Sequence, residues 1–391
     1  MSQRVLVTGM GAISAAGCDI PETLDCFAAG QRNLGKVTLF ASPLDYPVYE
    51  VTRPIQADGN HPSRTIQLVL RALAEALVNA GLPRDLSGYR VGVCMGTTVA
   101  SQLNDVAFYQ AYRQSGIVSL EPVEQFLKGN LAEVVAAEVH ASGPCTTIVN
   151  ACSSSTDAVG VALSWIKSGL CDLVIAGGGD ELSRIPLCGF GSLSVFSHKP
   201  CKPYDRDREG LNLGEGAGVL ILERENLARV RGVIPDLFVA GYGAACDAHH
   251  LTAPRPDGSG LETAVRASLA EAGILPSQIG FVNAHGTATR DNDKVEGAVL
   301  ARVFGLDVKV LSTKGYTGHT LGAAGALEAV FTGLALREGW IPLSAGFENK
   351  DDEIPIGVVR ERTLVSGDYA MSTSLAFGGN NAALVMGRMS T

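Results

Sequence analysis

The sequence is poor in aromatic residues and has no basic tract, no long hydrophobic run and no paired-cysteine motif. Phe, Trp and Tyr make up 6% of 391 residues, against 46% hydrophobic residues and 46 glycines, a balance that suits closely packed helices lying on sheets. Thirty-one Lys and Arg face forty Asp and Glu, a formal charge of −9, and no cluster follows a phosphate backbone, which disfavours nucleic acid as a partner. The opening MSQRVLVTGMGAISAAG is glycine-broken, too short to span a bilayer and without a cleavable region, so we expect a cytoplasmic protein without membrane segments. Nine cysteines, an odd number with no C-x-x-C pair, point to reduced thiols. Most cysteines in such contexts are packing residues.

Several binding motifs are also absent. The glycines of VTGMGAISAAG fall at 9, 11 and 17, which is not the G-x-G-x-x-G of a dinucleotide site, and GEGAG at 214–218 lacks the GK[ST] of a P-loop. Cys246, His249 and His250 lie close in sequence, but consecutive histidines rarely share one ion and no further ligand pattern accompanies them, so no metal site is expected.

Apolar β-branched runs alternate with helical patterns: strands at 4–9, 90–96, 172–178 and 218–223, helices over about 64–80 and 153–168. This predicts an α/β fold with a mostly parallel sheet. The pattern then begins again. VTGMGA (7–12) is echoed by VAGYGA (239–244), RALAEALVNAGLP (71–83) by RASLAEAGILP (266–276), and VGVCMGTT (91–98) by FVNAHGTA (281–288), in the same order. Three matched segments predict a duplication with a pseudo-twofold axis, one half over 1–235 and the other over 236–391. The first half is longer by segments around 99–130 and 183–215, which suit lids or dimer contacts.

Four segments carry candidate chemistry. In NACSSSTDAVG (150–160), Cys152 follows a strand-like run and opens a helical pattern, where free N–H groups and the helix dipole favour thiolate. Ser153, Ser154 and Ser155 equally suit helix capping, so this segment alone leaves nucleophile and packing residue both open. His285 ends a strand before Gly-Thr, where open α/β sheets place ligands, and its counterpart in the first half is the apolar Met95. Lys314 and His319 stand at the head of a helix so rich in Gly and Ala that another element must approach it closely. Phe377 precedes Gly378 and Gly379 in a tight turn that suits an oxyanion hole, or an ordinary hairpin.

Cys152, His285, Lys314 and His319, set in ACSS, NAHGTAT with Asp293 and Glu296, STKxxTGHxLGAAGALE, PYDRDREGLNLGEGAG and FGGNN, resemble the elongating β-ketoacyl-[acyl carrier protein] synthases of the thiolase superfamily. The likeness covers nearly the whole chain. It implies two βαβαβαββ halves in an α-β-α-β-α arrangement. It implies a Cys152 thioester that condenses with malonyl-[acyl carrier protein], with release of CO2, to a 3-oxoacyl product. It casts His285 and His319 as donors to the malonyl carbonyl oxygen, Lys314 and Glu328 as electrostatic support, and the N–H groups of Cys152 and Phe377, with Gly378 in the turn, as oxyanion hole. Thr287 and Thr289 match positions that hold the phosphopantetheine arm, and Phe377 a gating ring. No cofactor is implied beyond that arm, which the carrier brings. Two departures stand out: Arg290 where many relatives have Pro, and Leu375-Ala376 where they have a bulkier gate. The gate departure means that chain-length preference cannot be carried over, and loops shorter than in typical elongating enzymes favour a specialised polyene or polyketide-like pathway over bulk fatty acid synthesis.

Neighbouring families fit less well. Thiolases use a second cysteine near the C-terminus, whereas the last one here is Cys246; initiating synthases use Cys-His-Asn, whereas His319 is present. A chain-length factor, a binding subunit, ordinarily lacks the nucleophile. The resemblance implies a dimer, with itself or with such a factor, and the apolar Cys152 helix and the adjoining strand at 172–178 are the expected interface. Docking of the acidic carrier protein onto an acidic chain requires a local basic patch. The candidates are Arg64 and Arg71 on one helix face, and Lys199, Lys202, Arg206 and Arg208 in a second cluster.

Overall fold

A computed structural model describes residues 4–55, 63–101 and 105–389. The first half contains β1 (Val5–Ser14), α1 (Ile20–Ala29), α2 (Arg64–Asn79), β2 (Val91–Gly96), α3 (Val106–Ser115), α4 (Glu121–Lys128), α5 (Leu131–Glu138), β3 (Cys145–Ile148), α6 (Ser154–Lys167), β4 (Leu173–Asp180), α7 (Arg184–Ser192), β5 (Gly216–Arg224) and α8 (Glu225–Val230). The second contains β6 (Leu237–Cys246), α9 (Ser259–Ala272), β7 (Ile279–Asn283), α10 (Arg290–Phe304), β8 (Lys309–Leu311), α11 (Lys314–Thr317), α12 (Ala324–Glu338), β9 (Trp340–Ile341), β10 (Gly357–Val358), β11 (Thr363–Leu364), β12 (Tyr369–Leu375) and β13 (Asn380–Arg388). The expected boundary at 235/236 falls between α8 and β6.

The duplication is visible in strand order. One eleven-stranded sheet runs β10-β8-β7-β12-β13-β6-β1-β5-β4-β2-β3, so outward from the central β1/β6 pair each half repeats the same sequence of strands, with β10 added at one edge. The sheet is mixed rather than mostly parallel. In each half the last long strand, β5 or β13, lies antiparallel between its neighbours, while β2, β3 and β4 pair in parallel, as do β7, β8 and β12. The sequence pattern reports burial, and strands covered on both faces read alike in either direction.

Helices α6 and α12 form the inner layer. α6 packs on β2 and β4 and reaches β6 and β13, while α12 packs on β12 and β13 and reaches β4 and β5, so the two halves of the sheet face each other across the pair. The small residues of α12 follow from this burial on every side: residues 324–336 are all buried, and a Cβ on Gly325 would lie 1.9 Å from the Thr156 hydroxyl of α6. α2 covers β1 and β5 on one outer face and α9 covers β6 and β13 on the other.

The first insertion behaves differently. α3 and α4 contain no buried residue, and Tyr112, Ile117, Leu120 and Leu127 of that segment are exposed. The strand expected at a dimer interface, β4, is wholly buried between β5 and β2, so its small apolar residues serve its own core. The sheet edge on that side is β3, a half-exposed strand that pairs, among the described residues, with β2 alone. No helix among the described residues is long and apolar enough to cross a membrane.

Candidate active site

The chain leaves β3 and turns into α6 through a short 3-10 segment, Ala151–Ser153, in which Ala151 is held at φ +49°, a conformation L-residues rarely adopt. The neighbouring hydroxyls hold that turn. Ser154 Oγ and Thr98 Oγ1 both donate to the Ala151 carbonyl, at 2.6 and 3.2 Å, and Ser153 Oγ donates to Asp157 at 2.9 Å. Ser155 Oγ accepts the Ala326 N–H of α12 at 2.8 Å. None of the three serines caps its own helix, so the expected capping role is replaced by bracing of the turn and of α6 against α12.

Cys152 is thereby fixed at a buried point with its sulfur facing the second half. The expected preference for thiolate does not carry the balance: burial pushes the Cys152 thiol up to about 11, against the lowering influence of the Lys314 charge and the Phe377 backbone N–H. Sγ of Cys152 and ring nitrogens of His285 and His319 all lie within 4.8 Å of one another. The two imidazole rings meet edge to face, centroids 5.2 Å apart.

Both halves hold the histidines through their backbones, and neighbours in the second half fix their tautomers through their rings. Glu296 accepts the N–H groups of His285 and Gly286 at 2.8 and 2.9 Å, and is itself tied to Tyr204 and Thr373. His319 N–H donates to the Asn212 carbonyl and its own carbonyl accepts from Gly214, so the GLNLGEG motif clamps that residue. The Lys314 ammonium sits 3.1 Å from His285 Nδ1 and pairs with Glu328. An ammonium has no lone pair, so Nδ1 accepts and Nε2 carries the proton. His319 Nδ1 accepts the Leu321 N–H at 3.1 Å, which assigns the proton there to Nε2 as well. Burial, and then the Lys314 charge, hold both histidines well below their usual pKa, in the neutral form. Burial raises Glu328 to about 7, against the pull of Lys314.

Cys152, His285 and His319 line a cavity of about 420 Å³ together with Thr287, Thr289 and Phe377. Thr287 and Thr289 share a hydroxyl hydrogen bond of 2.8 Å. Gly378 does not offer its N–H to the site: that group donates to the Leu251 carbonyl, and Gly378 contributes its φ of +89° to the turn that aims Phe377.

The expected docking patches are largely self-neutralised. Arg64 spends its guanidinium on Glu215 and the Val51 carbonyl, an internal fork. Arg71 lies 3.7 Å from Asp19. Lys199 pairs with Glu209, Lys202 with Glu348, Arg206 with Asp207, and the buried Arg208 with Asp351.

Two site residues escaped sequence reasoning. Phe190 of α7 stacks on Phe377, centroids 5.4 Å apart and 19° between planes, and its signal was a lone aromatic between glycines in the insertion 183–215. Asp180 receives the N–H groups of Thr98, Val99 and Gly322 and the Thr97 hydroxyl, tying the halves together beside Cys152. An acid ending the apolar run LVIAGGGD was its signal.

A duplicated α/β fold with a buried Cys-His-His cluster between its halves defines the thiolase-like class of acyl-transferring enzymes. The N-terminal domain of β-ketoacyl synthases matches residues 56–228 and the C-terminal domain matches 238–348. The chain belongs to the β-ketoacyl synthase family. It is 32% identical to 3-oxoacyl-[acyl-carrier-protein] synthase 2 of Vibrio cholerae serotype O1, covering 99% of each chain. Among solved structures it resembles the ishigamide ketosynthase/chain length factor, with TM-score 0.93 and 31% identity over 100% of both chains. It also resembles a ketosynthase in complex with its chain length factor from Xenorhabdus doucetiae, with TM-score 0.88 and 31% identity over 99% of this chain and 98% of that one.

Proposed function

We propose that the chain condenses an acyl group, held as a thioester on Cys152, with malonyl-[acyl carrier protein] to give 3-oxoacyl-[acyl carrier protein] and CO2. The observation that carries this reading is the approach of Cys152 Sγ to two histidines that both present Nε2–H. In the first step the sulfur attacks the carbonyl of an acyl-carrier thioester. The carrier thiol leaves with the proton lost by Cys152, and the developing oxyanion meets the N–H groups of Cys152 and Phe377. In the second, the bond from malonyl C2 to its carboxylate breaks and CO2 departs. The electron pair forms an enolate whose oxygen accepts from His285 and His319 Nε2. That carbon then attacks the Cys152 thioester, the C–S bond breaks, and the departing thiolate takes up a proton from solvent to restore the Cys152 thiol.

Neutral histidines suit this role, because a donor to an enolate need not surrender its proton. Lys314 acts through His285, which it holds in the required tautomer, and Glu328 balances the buried ammonium. Thr287 and Thr289 are assigned to the phosphopantetheine arm, and Phe377 with Phe190 to the acyl entrance. No cofactor enters any of these steps. A nucleophilic thiol requires a reducing compartment, in keeping with the cytoplasm.

The likeness to ketosynthases paired with chain length factors favours one refinement: this chain as the catalytic subunit of such a pair, in a polyene or polyketide-like pathway. The exposed β3 edge and the unburied α3 and α4 are the assigned partner face, whether for a related subunit or a second copy. Incubating the protein, alone and with a candidate partner, with acyl- and malonyl-carrier proteins and measuring the carrier by mass spectrometry tests the reading. A 3-oxoacyl product longer by two carbons is expected, and its absence for every acyl group in both preparations contradicts it.

A further inference from the structure

The mouth of the Cys152 cavity carries a cation that the proposed chemistry does not use. Along 285–290 the chain rises from the interior to the surface. His285 and Thr287 are buried, Thr289 is half-buried and Arg290 is exposed, and all four line the same cavity. Among the described residues the Arg290 guanidinium makes no hydrogen bond or ion pair, unlike the paired cations Lys199, Lys202 and Arg206. Its backbone, by contrast, is held: the buried Arg208 donates to the Arg290 carbonyl at 3.1 Å. The other charges lining the cavity are Asp291, Asp247 and Glu209. Asp291 is the next residue on α10, and adjacent helical residues do not face each other. Asp247 is occupied by Arg255 N–H and Asn381, and Glu209 by Lys199.

We propose that Arg290 binds the phosphodiester of the phosphopantetheine arm where it enters the cavity. This rests on the reading that a carrier-borne thioester reaches Cys152. An arm extended past Thr289 and Thr287 toward the sulfur has one anionic group, at its outer end, and Arg290 is the exposed end of the same lining segment. A planar guanidinium matches two phosphate oxygens at once.

The test compares Cys152 acylation by acyl-phosphopantetheine, by acyl-pantetheine and by the whole acyl-carrier protein, in wild type, Arg290→Ala and Arg290→Lys. Arg290→Ala is expected to raise the Michaelis constant about fivefold for the phosphorylated arm and for the carrier, as one exposed charge-assisted contact would. The unphosphorylated arm should be unaffected, and Arg290→Lys should recover only part of the loss, since an ammonium keeps the charge but not the two-pronged contact. An equal change for both free arms would overturn the proposal in favour of pocket shape, and a change confined to the whole carrier would overturn it in favour of a protein contact. Failure of wild type to acylate Cys152 with any of the three would instead reject the ketosynthase reading itself.

Discussion

The two halves make the same turn into the inner helices and put opposite things on it. In the first, Ala151 at φ +49° precedes Cys152 and Ser153 and then α6; in the second, Leu321 at φ +52° precedes Gly322 and Ala323 and then α12. The first turn aims its side chain into the cavity. In the second there is no room for one: Gly322 N–H donates to Asp180 at 2.6 Å, and a Cβ there would lie 2.7 Å from the backbone of Thr97. The ends of the matched strands reverse the assignment, with Met95 buried in the first half's core and His285 in the cavity. Duplication thus supplied one strained backbone frame twice, and each half turns a side chain into the cavity where the other packs its counterpart away or has none.

The two turns differ most in consequence at Cys152. Replacing it with Ala should abolish condensation while leaving the thermal midpoint near wild type, because the turn is held by Ser154 and Thr98 rather than by the thiol. Next in size are His285→Ala and His319→Ala, each expected to slow malonyl decarboxylation about a hundredfold or more while affecting Cys152 acylation far less, as loss of an oxyanion donor does. Equal loss of both steps would contradict the division of labour. Lys314→Met leaves Glu328 buried without its cation, so an unfolding measurement should show a loss of about 3 kcal/mol. Gly322→Ala, the mirror of the cysteine substitution, should cost about 1–3 kcal/mol by crowding Thr97 and Asp180, with little change if that turn is as open as its counterpart.

The smallest effect is on pH dependence. His285 and His319 stay neutral in the fold below the usual 6.5, whereas the unfolded chain takes up protons there. The unfolded state then binds more protons, so these two residues should make stability fall as pH drops through about 6.5. A variant lacking both imidazoles should show a flatter profile.

The halves themselves were legible in the sequence because burial writes a repeating pattern. Strand direction was not, since an antiparallel β5 between covered faces reads like a parallel one. At the site, Cys152, His285 and His319 were legible as residue types in motifs. Their tautomers were not, because they depend on Lys314 Nζ and Leu321 N–H, contacts made only in three dimensions. Arg64 misled for a similar reason: its charge is real, but Glu215, 151 positions away, consumes it. Cys152 misled in degree, since helix-start position is local whereas burial, which raises its thiol, is set by the whole fold.

The central claim is that Cys152 alone accepts the acyl group. Peptide mapping by mass spectrometry after incubation with acyl-carrier protein and no malonyl group tests it most directly. One acyl adduct is expected, on the peptide containing Cys152, and none on the Cys152→Ala protein. An adduct on another residue, or one retained in that variant, would contradict it.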